Sequence, residues 1–98
     1  MNIEIKENEM FTKVIIKGRL DTSTSSFFEE EMSKAMENIK DLVLDFAELE
    51  YVSSAGLRVI LKCQKIMKSK GSMKIVNVNE LIMEVFEITG FVDILTIE

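Results

Sequence analysis

The chain has 98 residues, 47% hydrophobic and 30% charged, a balance that fits one folded domain over 1–98 and excludes an apolar-poor disordered segment. Twelve basic against seventeen acidic residues give a net charge of −5, which offers nucleic acid no general attraction. With no histidine and a single cysteine, Cys63, a Ser-His-Asp triad, an imidazole base, an internal disulfide and a Cys/His metal cluster are all excluded. No apolar run reaches the ~18 residues of a membrane span, so a cytoplasmic protein without direct membrane insertion is expected. Carboxylate or lysine chemistry would need a pocket, and the composition leans instead toward a protein that works by being bound.

Ile3 and Ile5 alternate with Glu4 and Lys6, and Val14, Ile15 and Ile16 follow after Asn8–Met10, which predicts two strands joined by a tight turn. Gly18-Arg19-Leu20-Asp21 is expected to leave the sheet. The hydroxyl cluster 22–26 then precedes a helix in which Ser26 and Glu29 have capping-box spacing and glutamates occupy the first turn. Phe28, Met32, Ala35, Met36 and Ile39 recur at helical spacing as its inner face. Leu42-Val43-Leu44-Asp45-Phe46 is short and almost continuously apolar, as in a central strand buried on both faces, and ends at Ala47-Glu48-Leu49-Glu50.

A second helix is expected to open over Tyr51-Val52-Ser53-Ser54-Ala55-Gly56-Leu57, with Leu57, Ile60, Leu61, Gln64 and Met67 inward and Gly71 as its stop. Met73–Val78 reads as a strand. Asn79 is placed to cap a third helix striped by Leu81, Ile82, Val85, Phe86 and Ile88, with Gly90 as a left-handed C-terminal cap followed by Phe91. Residues 94–97 read as a last short strand. Helices alternating with strands from Val14 to Val78 imply right-handed parallel crossovers, hence an α/β domain with a mixed four- to five-stranded sheet and about three helices packed on it.

Gly56 in the first turn of a helix costs roughly 1 kcal/mol relative to alanine, so something else favours it. Either this turn approaches the sheet closely, or its bare backbone presents N–H groups to a partner or a phosphate. Ser53 and Ser54 are both candidates for an ordinary helix cap. Arg58, Lys62, Lys65 and Lys68 form a basic helical stripe, with five positive and no negative residues over 55–70. That stripe is either a solvated face or a docking surface for an acidic partner. Met32, Met36, Met67, Met73 and Met83 fall on or beside apolar stripes as core filler, Cys63 reads as a packed thiol, and Glu29-Glu30-Glu31 as a solvated helix turn.

Gly18-Arg19-Leu20-Asp21, Leu42-Val43-Leu44-Asp45, Tyr51-Val52-Ser53-Ser54-Ala55-Gly56-Leu57-Arg58 and Thr89-Gly90-Phe91, in this order and spacing, resemble the STAS-type bacterial anti-sigma factor antagonists. The resemblance spans nearly all the chain. It implies a partner-switching cycle: the unmodified protein binds an anti-sigma factor that is also a serine protein kinase and so frees a sigma factor. Phosphorylation then ends binding, and a serine phosphatase restores it.

The family pattern places the phosphoacceptor at Ser54. Ser53 stands where the family often has aspartate, and competes as acceptor. Asp21, Asp45, Ser53 and Gly56 are expected to shape the phosphosite pocket, with the two aspartates repelling a phosphate there. Ala55, Leu57, Arg58, Lys62 and Lys65 are expected to meet the partner. No catalytic residue, metal or cofactor is assigned, and a monomer forming heterocomplexes is expected. Two alternatives differ in class: a STAS-like accessory subunit that docks on a membrane transport complex without phosphorylation, and a small enzyme using Asp21, Asp45 and a lysine.

Overall fold

The alternating segment forms strand β1 (Asn2–Glu7), which turns into β2 (Thr12–Leu20) in a computed structural model describing residues 1–98. Asn8 holds the turn, its Oδ1 accepting the N–H groups of Met10 and Phe11 at 2.7 and 2.8 Å. Helix α1 (Ser25–Ala35), β3 (Asp41–Asp45), β4 (Leu49–Val52), α2 (Ser54–Lys70), β5 (Ser72–Val76) and α3 (Glu80–Thr89) follow, then a 3-10 turn over Phe91–Asp93. The strand order is β1-β2-β3-β5, with β4 paired to the far half of β2. Only β1 runs antiparallel to its neighbour, so the sheet is mixed and five-stranded, with three α-helices, as expected.

The strands explain why the helices sit on one face. Thr12, Val14, Ile16 and Leu20 of β2 are buried, while Lys13, Ile15 and Lys17 between them are half-exposed. All buried apolar residues except Val43 join one cluster of 21, including Phe28 and Met32 of α1, Ile60 and Met67 of α2 and Ile82 and Phe86 of α3. Val43 points to the opposite face, where its ladder neighbours are Lys13 and Lys74. β3 is thus buried on both faces as predicted, but long charged side chains, not helices, cover the second one.

Five local expectations are corrected. β2 does not end before Gly18; it runs to Leu20 and pairs there with β4, a strand absent from the sequence reading. Gly18 pairs with Leu49 and Arg19 with Tyr51, so Glu50 is an extra residue bulged out of β4. That bulge puts buried Leu49 and Val52 three apart, a spacing that imitates a helix turn and explains why 51–52 read as helical.

Helix α1 starts at Ser25, and no Ser26–Glu29 capping box forms. Its N-terminal Thr24 makes no side-chain cap, and no acidic residue lies in the first turn. In α2 the buried side is Gly56, Leu57, Val59, Ile60, Cys63 and Met67, leaving Leu61 and Gln64 half-exposed. Finally, residues 94–97 give a single parallel bridge, Ile97 to Ile75, instead of a full strand. The Asn79 cap on the Ile82 N–H, at 2.9 Å, and the left-handed Gly90 at φ 79° are as expected.

Candidate functional site

The register of β2 against β4 brings the N-terminus of α2 to the end of β2. Leu20 pairs with Val52, and the next N–H, of Ser53, donates to the Leu20 carbonyl at 2.8 Å. Ser53 is extended (φ −92°, ψ 173°) and caps the helix: its Oγ accepts the Gly56 N–H at 3.2 Å and its carbonyl the Leu57 N–H at 2.9 Å. The two adjacent serines therefore differ. Ser53 is half-buried and committed to the cap, while Ser54, the first helical residue, is exposed and its hydroxyl has no hydrogen-bond partner in the protein.

Close approach accounts for Gly56. A Cβ built there would lie 2.6 Å from Leu20 Cγ and 3.1 Å from the Leu20 carbonyl oxygen. Its N–H is already taken by Ser53, so it is not free for an anion. The unshared N–H groups of Ser54 and Ala55 remain at the positive end of a 17-residue helix.

Asp21 follows Leu20 at the end of β2. Its Oδ1 accepts the Ser23 hydroxyl at 2.7 Å and the N–H groups of Ser23 and Thr24 at 3.0 and 3.1 Å. The Ser23 hydroxyl, and then the Thr24 and Ser23 N–H groups, hold the carboxyl below its ordinary pKa against a smaller opposing effect of desolvation. Arg19 lies 3.7 Å from Asp21 Oδ2 through Nε, and its guanidinium stacks on the Tyr51 ring at 4.3 Å. The Arg19–Tyr51 pair was not legible in the sequence, because it depends on the cross-strand register of β4.

Asp45 is not brought to this turn. It pairs with Ile15 while Val52 pairs with Leu20, so Asp45 lies five β2 residues (20 − 15) short of the level of Val52, the residue before the cap. It is 7% exposed, and its carboxylate takes the Ala47 N–H at 2.9 Å, the Asn77 amide at 3.1 Å and Lys13 at 3.3 Å. Burial raises its pKa, but these three partners outweigh it and leave the group below its ordinary value.

Among the residues assigned to a partner, Leu57 is 5% exposed and belongs to the core, a correction forced by the sheet-facing side of α2. Ser54, Arg58, Lys62 and Lys65 are exposed and Ala55 half-exposed. Lys62 pairs with Glu29, tying α2 to α1, whereas Arg58, Lys65 and Lys68 make no ion pair. No helix of the protein is long and apolar enough to cross a membrane.

The STAS domain family model matches residues 2–98. The chain belongs to the STAS domain family. This STAS domain is 32% identical over 98 residues to the anti-sigma-B factor antagonist of Bacillus subtilis (strain 168), covering 99% of this chain and 90% of the relative. In fold it is similar to an anti-sigma factor antagonist from Mycobacterium paratuberculosis, with TM-score 0.90 and 15% identity over 98% of this chain and 83% of that one. It is also similar to the Bacillus cell fate determinant SpoIIAA in its phosphorylated form, with TM-score 0.74 and 15% identity over 99% and 91% of the two chains.

Proposed function

We propose that this STAS domain is an anti-sigma factor antagonist that acts by partner switching, with Ser54 as its phosphoacceptor. Unmodified, it binds an anti-sigma factor that is also a serine protein kinase and thereby releases a sigma factor. Phosphate on Ser54 ends the binding, and a serine phosphatase restores it. The single observation that carries the choice of residue is the division of labour between the two serines: Ser53 Oγ is held by the Gly56 N–H, while the Ser54 hydroxyl is exposed and unengaged. The 32% identity to an anti-sigma-B factor antagonist supports the class of partner.

A phosphate on Ser54 adds ~1.5 to 2 negative charges and three acceptor oxygens to a surface turn. The α2 N-terminus tolerates that charge, so the fold survives and the loss falls on the partner's surface. Asp21 supplies local negative charge in this cycle, with Arg19 and Tyr51 bordering it. Asp45 acts from further along the sheet by holding the turn between β3 and β4.

The test is phosphosite mapping by intact mass and fragmentation on the protein isolated from its own cells, comparing wild type with Ser54→Ala and Ser53→Ala. Phosphate lost only in Ser54→Ala is expected. Phosphate retained in Ser54→Ala, or absent from wild type under every growth condition, overturns the proposal.

A further inference from the structure

Two surfaces of this domain away from the Ser54 turn are complementary to each other. The first is the outer side of α3. The sequence predicts one apolar stripe there, but Ile82 and Phe86 alone are fully buried; Val85 packs half-buried against the core, and Leu81 is 57% and Ile88 79% exposed on either side of it. Residues 81, 85 and 88 share one helical face, so the exposed apolar side chains are contiguous. Glu80, Glu84 and Glu87 flank them, all exposed and none ion-paired. Residues 75–98 contain five acidic and no basic residues.

The second surface is the outer side of α2. Arg58, Lys65 and Lys68 are exposed and unpaired, half-exposed Leu61 lies among them, and 52% exposed Ile94 stands across the groove. This half of the charge pattern is the mirror of the other: five basic and no acidic residues over 55–70.

We infer that the occupant of the α3 face is the α2 face of a second copy of this chain. Leu81, Val85 and Ile88 would lie against Leu61 and Ile94, and Glu84 and Glu87 would face Lys65 and Lys68. Charge complementarity selects this occupant: Arg58, Lys65 and Lys68 on one face and Glu80, Glu84 and Glu87 on the other find no counter-charge within their own molecule, whereas Lys62 and Glu98 are already paired with Glu29 and Lys74. The net charge of −5 opposes association in general, so pairing depends on these local patches and weakens as salt screens them. The same α2 helix starts at Ser54, so self-association and partner docking draw on neighbouring surfaces, but the pairing itself needs no kinase and does not rest on the proposed cycle.

Sedimentation equilibrium of the full chain over a wide concentration range tests this. Wild type should rise from the monomer mass through twice that value and beyond with concentration, because a contact between unlike faces leaves one of each free on every pair. Lys65→Glu/Lys68→Glu and Glu84→Lys/Glu87→Lys should each remain monomeric, and an equimolar mixture of the two double variants should regain the wild-type mass increase, because each then meets an oppositely charged face. Recovery on mixing also demonstrates that both variants are folded; circular dichroism and reversible melting of each one check this independently. A wild type that stays monomeric throughout, association that survives both reversals, or two folded variants whose mixture stays monomeric would each overturn the inference.

Discussion

Gly56 and Leu20 meet where the first turn of α2 crosses the end of β2, at a separation that leaves no room for a side chain. A methyl at residue 56 would lie 2.6 Å from Leu20 Cγ and 3.1 Å from its carbonyl oxygen. The neighbouring Ser53 N–H bonds that same carbonyl, so the strand end, the cap and the helix start are one unit.

Gly56→Ala sets two effects against each other. Alanine gains about 1 kcal/mol of helix propensity, but overpacking costs typically about 1–3 kcal/mol, and here one obstacle is backbone. Urea unfolding should show a net destabilisation. A variant as stable as wild type would mean that α2 moves away from Leu20 without cost.

Ser53→Ala and Ser54→Ala should separate in stability. Losing the cap on the Gly56 N–H should cost about 1 kcal/mol, whereas the Ser54 hydroxyl bonds nothing and its loss should stay within about 0.5 kcal/mol. Ser53→Asp keeps the cap and adds a charge favoured at a helix N-terminus, so it should be at least as stable as wild type. Thermal melts of the three variants check the order, and equal losses in both alanine variants would contradict it.

Asp45 should shape the acid limb of stability. Its folded-state pKa is lowered from the ordinary value, so the stability it contributes is fully present above the unfolded value of about 3.9 and lost as pH falls through the folded one. Asp45→Asn should lower stability at neutral pH and flatten the fall below about pH 4. Parallel acid limbs in urea titrations of wild type and variant would remove Asp45 as a contributor.

Cys63 should be chemically silent while the protein is folded. It is 2% exposed, and burial, with the charge of Glu29 adding, pushes its thiol up to about 12. Labelling by a thiol-exchange reagent at neutral pH should track unfolding as urea is added. Complete labelling of the native protein on mixing would show an open thiol.

Much of the fold follows from local chemistry. The period-two run at Ile3–Lys6, the apolar β3 segment, the Asn79 cap and the left-handed Gly90 each act within a few residues, so each is legible along the chain. The site was half legible. Ser53, Ser54 and Gly56 stand out as residue types, but whether Gly56 served a close approach or a free backbone turned on Leu20, 36 positions earlier (56 − 20) in the sequence.

What the sequence by itself determined is the α/β character, the three helices, the strands other than β4 and the serine pair at the start of α2, because propensity, capping and periodicity are local. Only the tertiary structure decided which serine is free, which aspartate lies further along the sheet and which apolar residues stay outside. Those depend on the register of β2 with β3 and β4 and on the single bulge at Glu50. Cross-strand pairing couples residues distant in the chain, and a shift of one position turns every side chain to the other face.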